Sequence, residues 1–149
     1  MSRLTDIADA VVAKLNAATF SEAFTAVLGY DAQYDIEEMS ALHVTVLPAT
    51  LDQGISARRF AQEDVRIEIG VQKKLPPKNT PETDAVEIGE LISLTEAIGD
   101  FLRGESLADF PAATWISQSI EPVVSRDLLR EKRLFTSVIA VNYRVVFTD

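Results

Sequence analysis

The chain has 149 residues and a mass of 16.4 kDa, which is the usual size of a single domain. Its composition, 47% hydrophobic and 25% charged, is that of a globular protein with one core. It contains no cysteine, which excludes disulfide scaffolds, thiolate zinc sites, iron–sulfur clusters and cysteine nucleophiles. The 23 acidic and 14 basic residues give a net charge of −9, which opposes nonspecific binding to nucleic acid or anionic lipid.

The start of the chain is amphipathic and does not resemble a signal peptide. Apolar residues recur at helical spacing over residues 4–16, with Ser2 or Thr5 available as the N-cap. Residues 20–28 fit a short strand or a helical turn that ends at Gly29, and the strand is favoured. No apolar run approaches the roughly 18 to 20 residues of a membrane-spanning helix, so the sequence predicts a cytosolic protein without a membrane partner.

The middle of the chain predicts two strands joined by an exposed segment. Residues 30–38 are polar and typical of a turn. Residues 41–47 predict a central strand that ends at Pro48. Residues 49–64 are expected to form an exposed loop or a protruding hairpin arm. Residues 65–71 alternate apolar and polar side chains, which predicts a half-buried strand.

A proline-containing linker and a long helix follow. Residues 73–84 contain three prolines, which predicts a stiff surface linker. The periodicity predicts an amphipathic helix over residues 84–103, which ends with Gly104 in the C′ position. Residues 105–113 are expected to form a loop.

Two strands complete the predicted fold. Residues 115–121 predict a short strand, residues 123–132 a connection, and residues 134–147 a long strand antiparallel to the short one. The whole chain, residues 1–149, is expected to form a single α+β domain. Its architecture would be a mostly antiparallel sheet of about four or five strands, with two amphipathic helices packed on one face and the arm extending from it.

The residues with reactive or metal-ligating side chains do not form a pattern typical of a catalytic, cofactor or metal site. His43 is the single histidine and lies within a predicted strand, so a structural role is favoured over a catalytic relay. The acidic residues Asp31, Asp35, Glu37 and Glu38 lack the spacing of a calcium loop, and the glycines form no phosphate-binding pattern. We therefore predict a protein that is not an enzyme and that binds no metal or cofactor.

Two basic groups are the candidates for contacts with other proteins. One lies in the arm and the other in the 123–132 connection and just after it (Arg58, Arg59 and Phe60; Arg126, Arg130 and Arg133). Carboxylates flank both groups, which favours a mixed-charge protein interface over a patch that binds nucleic acid.

Five segments carry a resemblance to a known family. They are the opening helix DIADAVVAKLNA, the strand LHVTVLPA followed by an arm, the strand DVRIEIGVQKKL, the helix EIGELISLTEAIGDFLRG and the ending IEPVVSRDLLREKRLFTSVIAVNYRVVF. In this order, the segments resemble the small tail-terminator or tail-completion (neck) proteins of long-tailed bacteriophages. The likeness covers most of the chain as a pattern of elements.

The resemblance implies a structural virion protein, made in the host cytoplasm, that forms a ring of commonly six copies. Such a ring caps the tail tube and joins it to the head. The implied partners are further copies of the chain, the tail-tube protein and the head–tail connector protein. A ring of six copies would carry a charge of about −54, so DNA could pass through its acidic lumen without specific binding. Ring closure needs two different surfaces that meet, for which the arm and residues 126–133 are the expected pair.

Three alternatives stay open. Within the same class, the chain could be a head-completion stopper or a tail-tube subunit, and a tube subunit would polymerise into long tubes. From another class, it could be a cytosolic adaptor or a small-ligand-binding domain with its site in a cleft between sheet and arm. The third and poorest alternative is a hydrolase that uses His43 with an acidic partner.

Overall fold

A five-stranded mixed sheet forms the centre of the fold, in a computed structural model that describes residues 2–30 and 40–148. Its strands lie in the order β1-β2-β3-β5-β4. β1 runs parallel to β2, and the other three neighbouring pairs are antiparallel. The bounds of the strands are β1 Ala26–Leu28, β2 His43–Ala57, β3 Phe60–Lys74, β4 Thr114–Ile120 and β5 Leu134–Thr148.

Within the described residues, three helices accompany the sheet: α1 (Arg3–Asn16), α2 (Pro81–Leu102) and the short α3 (Arg126–Lys132). The Ser2 hydroxyl caps α1 by accepting a hydrogen bond from the next turn of backbone, which confirms Ser2 as the N-cap. α2 ends at Leu102, and Gly104 follows with a φ of 71°, as the sequence predicted for a C′ glycine.

A hydrophobic core lies between the two long helices and one face of the sheet. Alternate residues of β3 face this core, so the period-2 pattern of the sequence is confirmed. Both α1 and α2 contribute to the same core, which confirms the predicted α+β fold with both helices on one face. The fully buried members include Ile7 and Val11 of α1, Ile67 and Ile69 of β3, Leu94 and Ile98 of α2, and Phe135 and Tyr143 of β5.

β3 is the middle strand, and it is paired on both sides over nearly its whole length. Its first residue, Phe60, lies opposite Thr148 of β5, and its last residue, Lys74, lies opposite Leu134. At about 3.3 Å per residue, the three 15-residue strands β2, β3 and β5 each extend about 50 Å. This length exceeds what the helices cover, so one end of the sheet protrudes.

The prediction that Pro48 ends its strand is wrong. β2 continues through Pro48 to Ala57, with a register shift between Pro48 and Thr50. The Val46 carbonyl points outward and accepts a hydrogen bond from the Gly29 N–H at 2.9 Å. Because backbone groups two residues apart point to the same side, the N–H that proline lacks would have pointed away from β3. The ladder between β2 and β3 therefore loses no hydrogen bond at Pro48.

The predicted 73–84 linker is too long at both ends. β3 includes Lys73 and Lys74, and α2 begins at Pro81, so residues 75–80 form the connection. The Thr80 hydroxyl caps α2 by accepting a hydrogen bond from the Thr83 N–H at 3.2 Å. Pro81 lies in the first turn, where a backbone N–H has no helical partner, so proline starts this helix instead of delaying it.

Two other segments differ from the prediction in part. The connection predicted at residues 123–132 contains α3, whose seven residues are too few for a helical repeat to be recognised. Within residues 20–28, only Ala26–Leu28 forms a strand, while the rings of Phe20 and Phe24 stack at 5.4 Å outside it. The polar turn predicted at residues 30–38 and the acidic residues Asp31, Asp35, Glu37 and Glu38 lie outside the described residues, apart from Tyr30.

Candidate protein interface

The arm, residues 49–64, is a β-hairpin that continues the sheet. Arg58 and Arg59 form its two-residue turn, and Ala57 lies opposite Phe60 where the two strands close. Arg59, the second residue of the turn, has a φ of 68°, a left-handed conformation that turns often use. Every residue from 49 to 60 is exposed to solvent. The sequence predicts either an exposed loop or a protruding hairpin arm for this segment, and the structure shows the hairpin.

Among the described residues, no strand lies beside one edge of the arm. β1 pairs with Val44–Val46 alone, so the outward edge of β2 is open beyond that point within the part of the chain that the structure describes. The other side of the arm is supported, because Val146 and Phe147 near the end of β5 lie opposite Gln62 and Ala61. An open edge that protrudes from a supported hairpin is available for contact with another chain.

The arm also concentrates exposed apolar side chains. Of the nine large hydrophobic residues that are exposed within the described ranges, four lie on the arm or on the part of β5 beside it. Ile55 is 82% exposed and projects on the same face as Leu51, which is 39% exposed. Phe60 and Val146, at 45% and 48%, lie on the opposite face. An apolar surface on both faces of a hairpin is typical of an interaction site.

A buried carboxylate fixes the base of the arm to α1. The Glu63 side chain is 2% exposed, and its Oε2 accepts hydrogen bonds from Arg3 Nη2 at 2.9 Å and from Gln53 Nε2 at 2.8 Å. Arg3 Nε donates to the other carboxylate oxygen, and the guanidinium lies 4.4 Å from the ring centre of Phe147. The Arg3 guanidinium holds the pKa of Glu63 below its usual value, although burial opposes this shift.

A second ion pair holds the arm from the other face of the sheet. Asp64 and Arg144 lie opposite each other on β3 and β5, and Arg144 Nε donates to Asp64 Oδ1 at 2.8 Å. This bond lowers the pKa of the Asp64 carboxyl. Glu63 is bonded on one face and Asp64 on the other, so the base of the arm is held to the rest of the fold.

The second predicted group, around α3, is far from the arm. Arg126 and Arg130 are exposed on α3. Arg133 follows α3 with a φ of 52°, and its Nη2 donates to Asp84 at 2.9 and 3.1 Å and to the Pro76 carbonyl at 2.8 Å. Its contacts therefore lie within the chain, where they join α3 to the start of α2. The two predicted groups lie at opposite ends of β3 and β5, about 45 Å apart, so the fold does not bring them together.

A groove beside α2, termed the α2 groove, lies near the end of the sheet opposite to the arm. It has a volume of about 620 Å³ and is lined by Ser21, Glu22, Lys73, Thr83, Val86, Glu87, Glu90 and Leu91. Lys73 Nζ lies 3.0 Å from a Glu22 oxygen and 3.4 Å from a Glu87 oxygen. Glu90 is exposed, and Val86 is 63% exposed. Three carboxylates against one ammonium group make the groove acidic.

A second groove, of about 480 Å³, lies between α2 and the edge strand β4. Trp115 forms part of its wall, and the indole N–H donates to Gln118 Oε1 at 3.0 Å. Gln118 Nε2 in turn donates to the Gly99 carbonyl at 2.7 Å. The second of these bonds joins β4 to α2.

The structure places His43 at the first position of β2, opposite Gln72 of β3. No group of three or more histidine, aspartate or glutamate residues that could hold a metal ion occurs among the described residues. Over the same ranges, no helix is both long enough and apolar enough to cross a membrane.

Sequence reasoning missed the Glu63 site, although a signal for it was present. The alternation of residues 65–71 extends back to Glu63, which places this carboxylate on the buried face of the strand. A charged residue at a core-facing position requires a partner, and Arg3 is that partner.

The chain matches no known protein-family model, and no curated protein is significantly similar to it.

Proposed function

We propose that the protein is a structural subunit of a bacteriophage virion, a tail-terminator or tail-completion protein. In this role it assembles into a closed ring that caps the tail tube and joins it to the head. The observation that carries the proposal is the protruding arm, where Ile55 is 82% exposed on a hairpin whose outward edge has no partner strand among the described residues. Contact with another polypeptide would remove this apolar surface from water and would pair the open edge.

The order of the elements supports the proposal. The segments that resemble tail-completion proteins form α1, β2 with the arm, β3, α2 and finally β5 with the end of β4 and α3. The arm expected after the second segment is a hairpin that extends from the body of the fold. The likeness therefore applies to elements that the structure contains in the same order.

The position of the arm and the net charge also fit a ring. A closed ring needs an interface in which one surface meets a different surface of the next copy, and an arm at one end of an elongated sheet favours such a contact. Six copies with a charge of −9 each would form an acidic particle of about −54, whose lumen would not retain the phosphates of DNA.

The proposal is tested by the solution mass of the protein, measured by light scattering over a concentration series. We expect a defined oligomer for the natural chain and a folded monomer for Ile55→Glu. Val123→Glu is the matched control, because Val123 is also an exposed apolar residue, at 45%, and lies away from the arm. Assembly of the control together with loss of assembly in Ile55→Glu supports the proposal.

Other outcomes select the alternatives. Long tubes would favour a tail-tube subunit. A monomer at every concentration would contradict the ring, and thermal stabilisation of that monomer by a small molecule would favour an adaptor or ligand-binding domain. The arm continues the sheet and does not fold back over it, so a ligand site in a cleft between sheet and arm lacks support from this geometry.

A further inference from the structure

We infer that the arm of one copy docks in the α2 groove of the next copy, and that this contact closes the ring. The inference rests on the proposed self-assembly and names the two surfaces that meet. Its basis is the match of charge and apolar surface between the tip of the arm and the groove.

The tip of the arm is basic in a protein that is acidic overall. Arg58 and Arg59 are exposed and adjacent, and neither forms an ion pair within the described residues. Ile55, three residues earlier, adds an apolar side chain that is 82% exposed. A partner surface for this tip should therefore be acidic and contain some apolar area.

The α2 groove has both properties. Glu22, Glu87 and Glu90 outnumber Lys73, so the groove carries a charge of −2 against the +2 of the tip. Val86 is 63% exposed within the same lining and offers an apolar contact for Ile55. Charge complementarity of this kind orients two protein surfaces and excludes partners of the wrong sign.

Within one copy, the tip and the groove cannot meet. Arg59 immediately precedes β3, and Lys73 lies near the end of the same strand. A separation of about 14 positions corresponds to about 46 Å along a strand that is paired on both sides. The contact can therefore form only between copies, and because its two surfaces differ, repetition gives a ring or an open filament.

The region of α3, which the sequence suggested as the second surface, fits the tip less well. α3 contains Arg126, Arg130 and Lys132 against Asp127 and Glu131, so it is net positive. Arg133, at its end, is bonded to Asp84 and Pro76 within the chain. A basic tip would gain no favourable charge interaction there.

Cross-linking tests the contact directly, because the chain contains no cysteine. Ser56 lies near the tip and Ser21 lines the groove, and both are exposed, so Ser56→Cys and Ser21→Cys change neither charge nor fold. With a short bis-maleimide reagent, we expect the double variant to give a ladder of covalent oligomers that ends at the size of the ring. Each single variant is the control, and neither should give a ladder.

Charge reversal provides a second, independent test. Arg58→Glu with Arg59→Glu is expected to weaken assembly at least about tenfold, and Glu90→Arg should do the same. Combining the three changes should recover part of the association lost in Arg58→Glu/Arg59→Glu, because Glu90→Arg makes the groove neutral and the groove then no longer repels the acidic tip. Glu96→Arg is the matched control, since Glu96 is an exposed acid of α2 that lines the other groove, beside β4. It should assemble as the natural chain does.

The outcomes separate this inference from the proposed function. The docking would be overturned if rings form without a cross-link between residues 56 and 21 and tolerate reversal of both arginines. The proposed ring itself would stand in that case. An equal effect of Glu96→Arg and Glu90→Arg would also overturn the docking, because only net charge would then matter. Cross-linked open filaments would support the docking and contradict the ring, whereas a monomer under all conditions would contradict both.

Discussion

Removing the hydroxyl of Tyr143 should make the protein more stable. The side chain is completely buried on β5, opposite Val65 of β3, and its hydroxyl has no hydrogen-bond partner among the described residues. Folding therefore removes this hydroxyl from water without replacing its hydrogen bonds. The ring itself packs in the core, and Tyr143→Phe keeps that ring and deletes one oxygen atom.

The magnitude follows from the penalty for an unsatisfied buried polar group, which is about 1–3 kcal/mol. For a chain of this size, 1 kcal/mol shifts the melting temperature by about 2–4 °C, so Tyr143→Phe should melt at least about 2 °C higher. Tyr30→Phe is the matched control, because Tyr30 is 73% exposed and loses no buried group. We expect the melting temperature of this control to be unchanged.

The dependence of the free energy of unfolding on alkaline pH gives a second test of the buried hydroxyl. Burial raises the pKa of the Tyr143 phenol above its ordinary value of 10.0. Below pH 10, the phenol is neutral in both the folded and the unfolded chain. As the pH rises further, the unfolded chain releases this proton while the folded chain retains it, so the free energy of unfolding falls. Tyr143→Phe should remove that part of the fall.

Calorimetry at pH 7 and urea unfolding at pH 7 and pH 11 measure both effects. A Tyr143→Phe protein that melts at least 2 °C lower than the natural chain would refute the reasoning, because it would mean that the hydroxyl forms a stabilising hydrogen bond.

Two further changes test the arm anchor and the end of α2. Glu63→Gln should destabilise the protein at neutral pH. The ion pair with Arg3 lowers the pKa of Glu63 and therefore stabilises the fold above pH 4.5. This stabilisation is lost as the pH falls through the lowered pKa. Its urea midpoint should vary less between pH 7 and pH 3 than that of the natural chain, and an equal variation would exclude Glu63 as a source of the acid sensitivity. Gly104→Ala should cost about 1 kcal/mol, because alanine is strained at a φ of 71°, whereas Gly89→Ala inside α2 should stabilise by up to about 1 kcal/mol. Equal melting temperatures for the two alanine variants would contradict this assignment of the C′ position.

The elements with strong periodicity could be predicted from the sequence. The alternation in β3 and β5 and the helical spacing in α1 and α2 are direct consequences of one buried face on each element. The order of these elements was sufficient to predict an α+β fold, and the structure confirms it. The ends of strands and helices were predicted less accurately, because the effect of a proline depends on the backbone N–H that it removes. β2 continues through Pro48, where that N–H would have pointed away from β3, and α2 starts at Pro81, where an N–H has no helical partner.

Contacts between distant residues could not be predicted from local patterns. Arg3 and Glu63 are 60 positions apart, and only the folded sheet brings the base of the arm beside α1. Likewise, the charge of Arg133 suggested an exposed contact, whereas its position after α3 directs it to Asp84 of α2. Residue type and spacing thus indicated which surfaces were charged, but not which charges were already paired.

Negative-stain electron microscopy of the purified natural chain shows whether the protein forms rings. We expect ring-shaped particles of uniform diameter with a central hole, and we expect these rings to disappear in Arg58→Glu/Arg59→Glu and to persist in Glu96→Arg. Single small particles at every protein concentration, or long tubes in place of rings, would contradict the proposed ring.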